Sequence, residues 1–194
     1  MNIKVITIAL VSIIIVALAG CLDNGDISTA IEKWNKVADK TQEIRSLEEQ
    51  FDKAVTADNL LIDSELAKDT PNFEKILPIL EKWQKTLDEE RKLLDEESSL
   101  ISDFAGATVN LDGDAKRYGD STLKNIRESH RYQTSSIDNF NRGIESLRTC
   151  LKVLDKTSCV QSEQYLKSVD SDTTKSESFT NNANDAMKKL EALQ

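Results

Sequence analysis

Apolar residues recur at steps of three and four through most of this chain, the spacing of helices buried along one side. The first series is Trp34, Val37, Thr41, Ile44, Phe51, Val55, Ile62 and Leu66, with Leu47, Ala54 and Leu61 widening the stripe. It predicts a helix from Thr29, where Thr29-Ala30-Ile31-Glu32 has the form of a capping box, to about Lys68. Asp69-Thr70-Pro71 reads as a stop and a restart. The second helix, about 71–105, carries Phe73, Ile76, Leu77, Leu80, Trp83, Leu87, Leu94, Ile101 and Phe104. Pro78 lies inside that stretch and is expected either to kink it or to mark its true start. The runs Asp88-Glu89-Glu90 and Asp95-Glu96-Glu97 read as solvated face.

A third helix is expected over about 114–154, with Tyr118, Ile126, Ile137, Phe140, Ile144, Leu147 and Leu151 on its apolar side. Thr122, Ser129, Gln133 and Ser136 fall on that same side, so the middle of the seam is polar. Arg117, Lys124, Arg127, Arg131 and Arg142 cluster opposite it at 100° per residue. The fourth helix, about 159–193, has a weaker series: Leu166, Val169, Ala183, Met187 and Leu190. Asp170 to Asp185 is rich in Ser, Thr and Asn, and is read as helix because both flanks keep register. Ile31-Glu-Lys-Trp-Asn-Lys36 echoes Leu80-Glu-Lys-Trp-Gln-Lys85, but no other part of that period repeats.

Short connections make neighbouring helices antiparallel. The expectation is an all-α protein, an elongated antiparallel four-helix bundle or a stack of long helical hairpins, with 29–194 as one domain. Composition agrees: 6 Gly, 2 Pro and 5% aromatic residues are too few for turn-rich β architecture.

The amino terminus follows another pattern. One Lys precedes an apolar run, Val5 to Leu18, that is shorter than the ~20 residues needed to span a bilayer. Small residues follow, and the run ends in Leu18-Ala19-Gly20-Cys21. This resembles the lipobox of prokaryotic membrane lipoproteins. The resemblance covers the first 21 residues only. It implies a signal peptide at 1–20, cleavage before Cys21, a diacylglyceryl group on the Cys21 thiol and attachment at the extracytoplasmic face of a cell membrane. Residues 21–28 then form a short linker, of which the six residues Leu22 to Ile27 reach about 20 Å when extended. The chain's net charge is -9, and cleavage would remove only Lys4, leaving the remainder one unit more negative. That excess of acid argues against nucleic acid and against adhesion to anionic lipid.

Little in the sequence carries chemistry. Cys150 and Cys159 flank a predicted helix–helix turn, and in an oxidising compartment such a pair reads as a disulfide. His130 is the single histidine, so His-based triads and metal sites lack partners. Asn110, Asp112 and Asp114 alternate like the start of a calcium loop, but Ala115 and Ser121 occupy its glycine and closing glutamate positions. No cofactor, metal site or catalytic residue is expected. The candidates for binding are Trp34 and Trp83, read as core packing near one tip of the first hairpin or as a partner platform; the seam residues Ser129, Gln133 and Ser136; and the basic residues Arg117, Lys124, Arg127 and Arg131. The expected function is a lipid-anchored module with a structural or protein-interaction role. The alternative is a binding component for a small molecule or envelope polymer that uses the polar seam.

Overall fold

The computed structural model describes residues 25–69 and 71–194. Almost all of them lie in four helices: α1 (Gly25–Leu66), α2 (Leu77–Thr108), α3 (Gly113–Val153) and α4 (Lys156–Glu191). No strand occurs among the described residues. Pairs between helices fix the antiparallel register. Lys33 faces Asp103 and Lys82 faces Asp58 between α1 and α2, Arg91 meets Asp138 between α2 and α3, and Ser129 meets Ser176 between α3 and α4. The start of α1, the α2–α3 turn and the end of α4 therefore share one end of the bundle, the base. The α1–α2 connection and the α3–α4 turn form the opposite tip.

Helix ends follow local chemistry. α1 begins at Gly25, so part of the expected linker is helical. Asp26 suits the positive end of the helix dipole, and Ile27 extends the buried series toward the base. Pro78 marks the start of α2 and does not kink it, since a proline in the first turn sacrifices no helical N–H bond. A single 3-10 turn at Phe73–Lys75 precedes it, where the Asn72 side chain accepts the Glu74 N–H at 3.1 Å. α3 closes on Leu154 in the left-handed region at φ 52°. Asp155 then caps α4, its carboxylate accepting the N–H groups of Thr157 and Ser158 and the Ser158 hydroxyl. Those bonds hold its pKa below the usual carboxylate range. α4 runs unbroken through 170–185.

Two apolar clusters fill the bundle. The tip cluster includes Ile44, Phe51, Ile62, Leu80, Trp83, Leu87, Phe140 and Ile144. The base cluster includes Ile27, Trp34, Val37, Ile101, Phe104, Ile126, Met187 and Leu190. Leu61 does not join the stripe assigned to it; it is 61% exposed, one position off the buried series.

α3 and α4 make the most extensive helix–helix contact, whereas α1 packs mainly on α2 and touches α4 only briefly. The cause is side-chain size. Ala115, Thr122, Ser129, Ser136, Gly143 and Cys150 recur every seventh residue on α3. Ser162, Val169, Ser176 and Ala183 do the same on α4. Small residues at each meeting point let the backbones approach, close enough for the Ser162 hydroxyl to donate to the Gly143 carbonyl at 2.9 Å.

Candidate functional site

Between the two apolar clusters lies a buried polar layer. On α2 the buried positions are Leu80, Trp83, Leu87, Glu90, Leu94, Glu97, Ile101, Phe104 and Thr108, an unbroken alternation of three- and four-residue steps. Glu90 and Glu97 thus stand in core register, at 5% and 0% exposure. This corrects the solvated-face reading of their acidic runs for these two residues; Asp88, Glu89, Asp95 and Glu96 do face outward. A carboxylate taken out of water needs donors. Glu97 has two: the Thr41 hydroxyl of α1 at 2.6 Å, and Nδ1 of His130 on α3 at 2.9 Å. Glu90 instead bonds to Glu48 of α1, which also receives Gln133 of α3. Burial and the neighbouring Glu48 push the Glu90 carboxyl well above the ordinary range, which favours its protonated form, the form able to donate to Glu48. Burial raises Glu48 as well, opposed by the Arg45 guanidinium.

The polar seam between α3 and α4 continues this layer. Ser129 Oγ lies 3.1 Å from the Ser176 carbonyl, 2.9 Å from the Ser176 hydroxyl and 2.7 Å from the Thr180 hydroxyl. Ser136 meets Thr173 at 3.3 Å. Ser135 and Asn139 both donate to Asp172. Beside the seam, where α1 and α4 diverge, is a cavity of about 30 Å³ walled by Arg45, Glu48, Gln133, Ser136, Thr173 and Glu177. That is room for a few water molecules at most, far below the ~300 Å³ of an ordinary ligand pocket.

The other candidate residues are dispersed. Trp34 and Trp83 are 6% and 3% exposed, so neither indole presents a platform. They also lie at opposite ends of the α1–α2 hairpin, not near one tip. Trp34 packs on Phe104 in the base cluster, and Trp83 on Phe140 in the tip cluster. The Trp83 indole N–H donates to Asp58 at 2.9 Å. Cys150 and Cys159 form a disulfide across the α3–α4 turn, with Cα atoms 5.0 Å apart. Cys21 lies outside the described residues.

The basic residues of α3 remain at the surface. Arg117 is tied to Asp114 and to the Tyr118 hydroxyl, and Arg131 to Glu128. Lys124, Arg127 and Arg142 pair with no carboxylate among the described residues.

Sequence reasoning missed Thr41, Glu48, Glu90 and Glu97 as a group. The signal was present: each sits where the three-and-four alternation demands a buried residue. What the spacing does not give is which buried carboxylate faces which helix. Among the described residues no set of three or more His, Cys, Asp or Glu is placed to hold a metal ion. No helix among them is long and apolar enough to cross a membrane. Comparison with protein-family models, with curated proteins and with solved structures finds no match to this chain.

Proposed function

We propose that this chain is a lipid-anchored, extracytoplasmic helical module that acts by contact with another protein and performs no catalysis. The observation that carries this reading is the closed seam. The Ser129, Gln133 and Ser136 groups, which a small ligand would have to engage, are already hydrogen-bonded to α1 and α4. The adjoining cavity is an order of magnitude too small for an organic ligand. This disfavours a binding component that uses the seam and leaves the outer surfaces of the bundle as the means of action.

The anchor rests on Leu18-Ala19-Gly20-Cys21. Two features accord with it. The Cys150–Cys159 bridge suits an oxidising compartment. The start of α1 at Gly25 brings a Cys21 tether to the base, so the base would face the membrane and the tip would point away. Intact mass spectrometry of the protein from its own membranes tests the anchor. The expected mass lacks residues 1–20 and carries a diacylglyceryl addition. Cys21→Ser is expected to leave the membrane fraction uncleaved and unlipidated; an unmodified full-length mass for the unsubstituted chain would remove the anchor from this reading.

A further inference from the structure

We propose that the outer face of α3 is a docking surface for an acidic helical segment of a partner protein, laid along the Lys124–Arg127–Arg131 ridge. This rests on the reading of the bundle as a protein-interaction module and names the face it uses.

Charge is unevenly distributed. Gly113–Val153 contains eight Lys and Arg against five Asp and Glu, in a chain of net charge -9. The carboxylates of α3 are all engaged: Asp114 with Arg117, Asp120 with Lys116, Glu128 with Arg131, Glu145 with Arg148 and Asp138 with Arg91. The Arg117 and Arg131 pairs are solvent-exposed and contribute little, so a partner's carboxylate can share those cations. Lys124 and Arg127 are exposed and pair with no carboxylate among the described residues. Arg117, Lys124 and Arg131 recur every seventh residue, which places a cation about every 10 Å along a straight ridge. Beside the ridge, Tyr132 stacks on Phe179 of α4 with centroids 5.7 Å apart, and Arg131 and Lys175 both lie over the Tyr132 ring. This half-buried pair gives the cations an apolar shoulder.

The arrangement selects among acidic partners. A uniform polyanion favours a continuous positive field. Here Asp120 and Glu128 interrupt the ridge, and the chain as a whole repels polyanions. An amphipathic helix with carboxylates at seven-residue intervals meets a cation every two turns and presents its intervening apolar residues to Tyr132 and Phe179. The span from Arg117 to Arg131 is about 21 Å, a segment of roughly 15 helical residues.

The test places a photoreactive residue at Asp120 on this face, and in a separate variant at exposed Gln42 on α1. Full-length chain is crosslinked in its own membranes and the captured peptide is sequenced. The expected product comes from Asp120, is an acidic segment of a different protein with a seven-residue acidic repeat, and falls at least tenfold in Lys124→Glu/Arg127→Glu/Arg131→Glu. The synthetic segment should bind the purified full-length chain and lose tenfold or more in affinity with the same variant, whose helical content and melting remain near those of the unsubstituted chain. Capture from Gln42 alone would overturn this assignment while leaving the interaction reading standing. A non-protein polymer, or a peptide of this same chain, at Asp120 would overturn it in favour of that occupant. No capture from either position would overturn both.

Discussion

Glu90 couples the stability of the fold to pH through its surroundings. Its folded pKa stands well above the unfolded value near 4.5, because burial and the facing Glu48 both disfavour its charge. A raised carboxyl stabilises fully below the unfolded value, and that stability is lost as pH rises through the folded one. Asp155 and Glu65 act in the opposite sense. Their hydrogen bonds lower the folded pKa, so their contribution is present above the unfolded value and lost as pH falls. The thermal midpoint is therefore expected to fall in two directions: as pH drops through the lowered Asp155 and Glu65 values, and as pH rises above the unfolded carboxyl value through the raised Glu90 one. Glu90→Gln keeps a donor toward Glu48 and cannot ionise, so it should flatten the decline on the rising-pH side; equal slopes in the two proteins would contradict the assignment. His130→Ala removes a donor from wholly buried Glu97. It is expected to cost roughly 1–3 kcal/mol in urea unfolding, the range for leaving a buried polar group short of a hydrogen-bond partner. Leu154 holds a left-handed conformation that glycine adopts without a Cβ penalty. Leu154→Gly should raise stability by about 1 kcal/mol, measured the same way.

The α3–α4 pair is the most constrained element pair. Its disulfide closes a loop of about ten residues, and a closure of that length contributes about 2–3 kcal/mol in the chain-entropy model. Urea unfolding with and without reductant should differ by that amount; a difference near zero would place the strength of the hairpin in its seam. The seam leaves little space for larger side chains. Ser129 is buried at the point where α3 meets Ser176 and Thr180. Ser129→Leu forces the helices apart and strands those partners' hydroxyls, and is expected to destabilise by more than about 2 kcal/mol. By contrast, α1 and α4 separate beside a water-sized cavity, so a somewhat larger polar side chain at Thr173 on its wall, as in Thr173→Gln, should be tolerated far better.

For the whole molecule, 42 residues of α1 at 1.5 Å per residue make a body about 63 Å long. A compact sphere of the described length has a radius of gyration near 15–16 Å, whereas a rod of this length gives about 20 Å. Small-angle scattering on the purified chain should return the larger value. The elongated form separates two apolar clusters by a polar layer, with one tryptophan in each. The same form leaves long outer faces available for contact, and the mixed but net basic face of α3 differs from the rest of an acidic chain.

Periodicity determined the helices and the all-α architecture, because burial along one side of a helix writes itself into three- and four-residue steps, and the short connections determined their antiparallel order. The cysteine pair and the polar middle of α3 were legible for the same reason: both are matters of position along one helix or across one turn. Helix starts were less legible. Gly25 and Leu77 begin helices because Ile27 finds a core and Pro78 needs a first turn, and the former is a tertiary fact. The spacing placed Glu90 and Glu97 in core register, but only the folded structure decided that Thr41, Glu48, His130 and Gln133 supply their partners, and that both tryptophans are enclosed. It also decided that the Ser129 seam is closed, since hydroxyls spaced along α3 do not reveal whether α4 stands close enough to bond them. The physical reason is common to all of these. Spacing records whether a residue is buried, whereas its function depends on what the opposing helix brings to meet it.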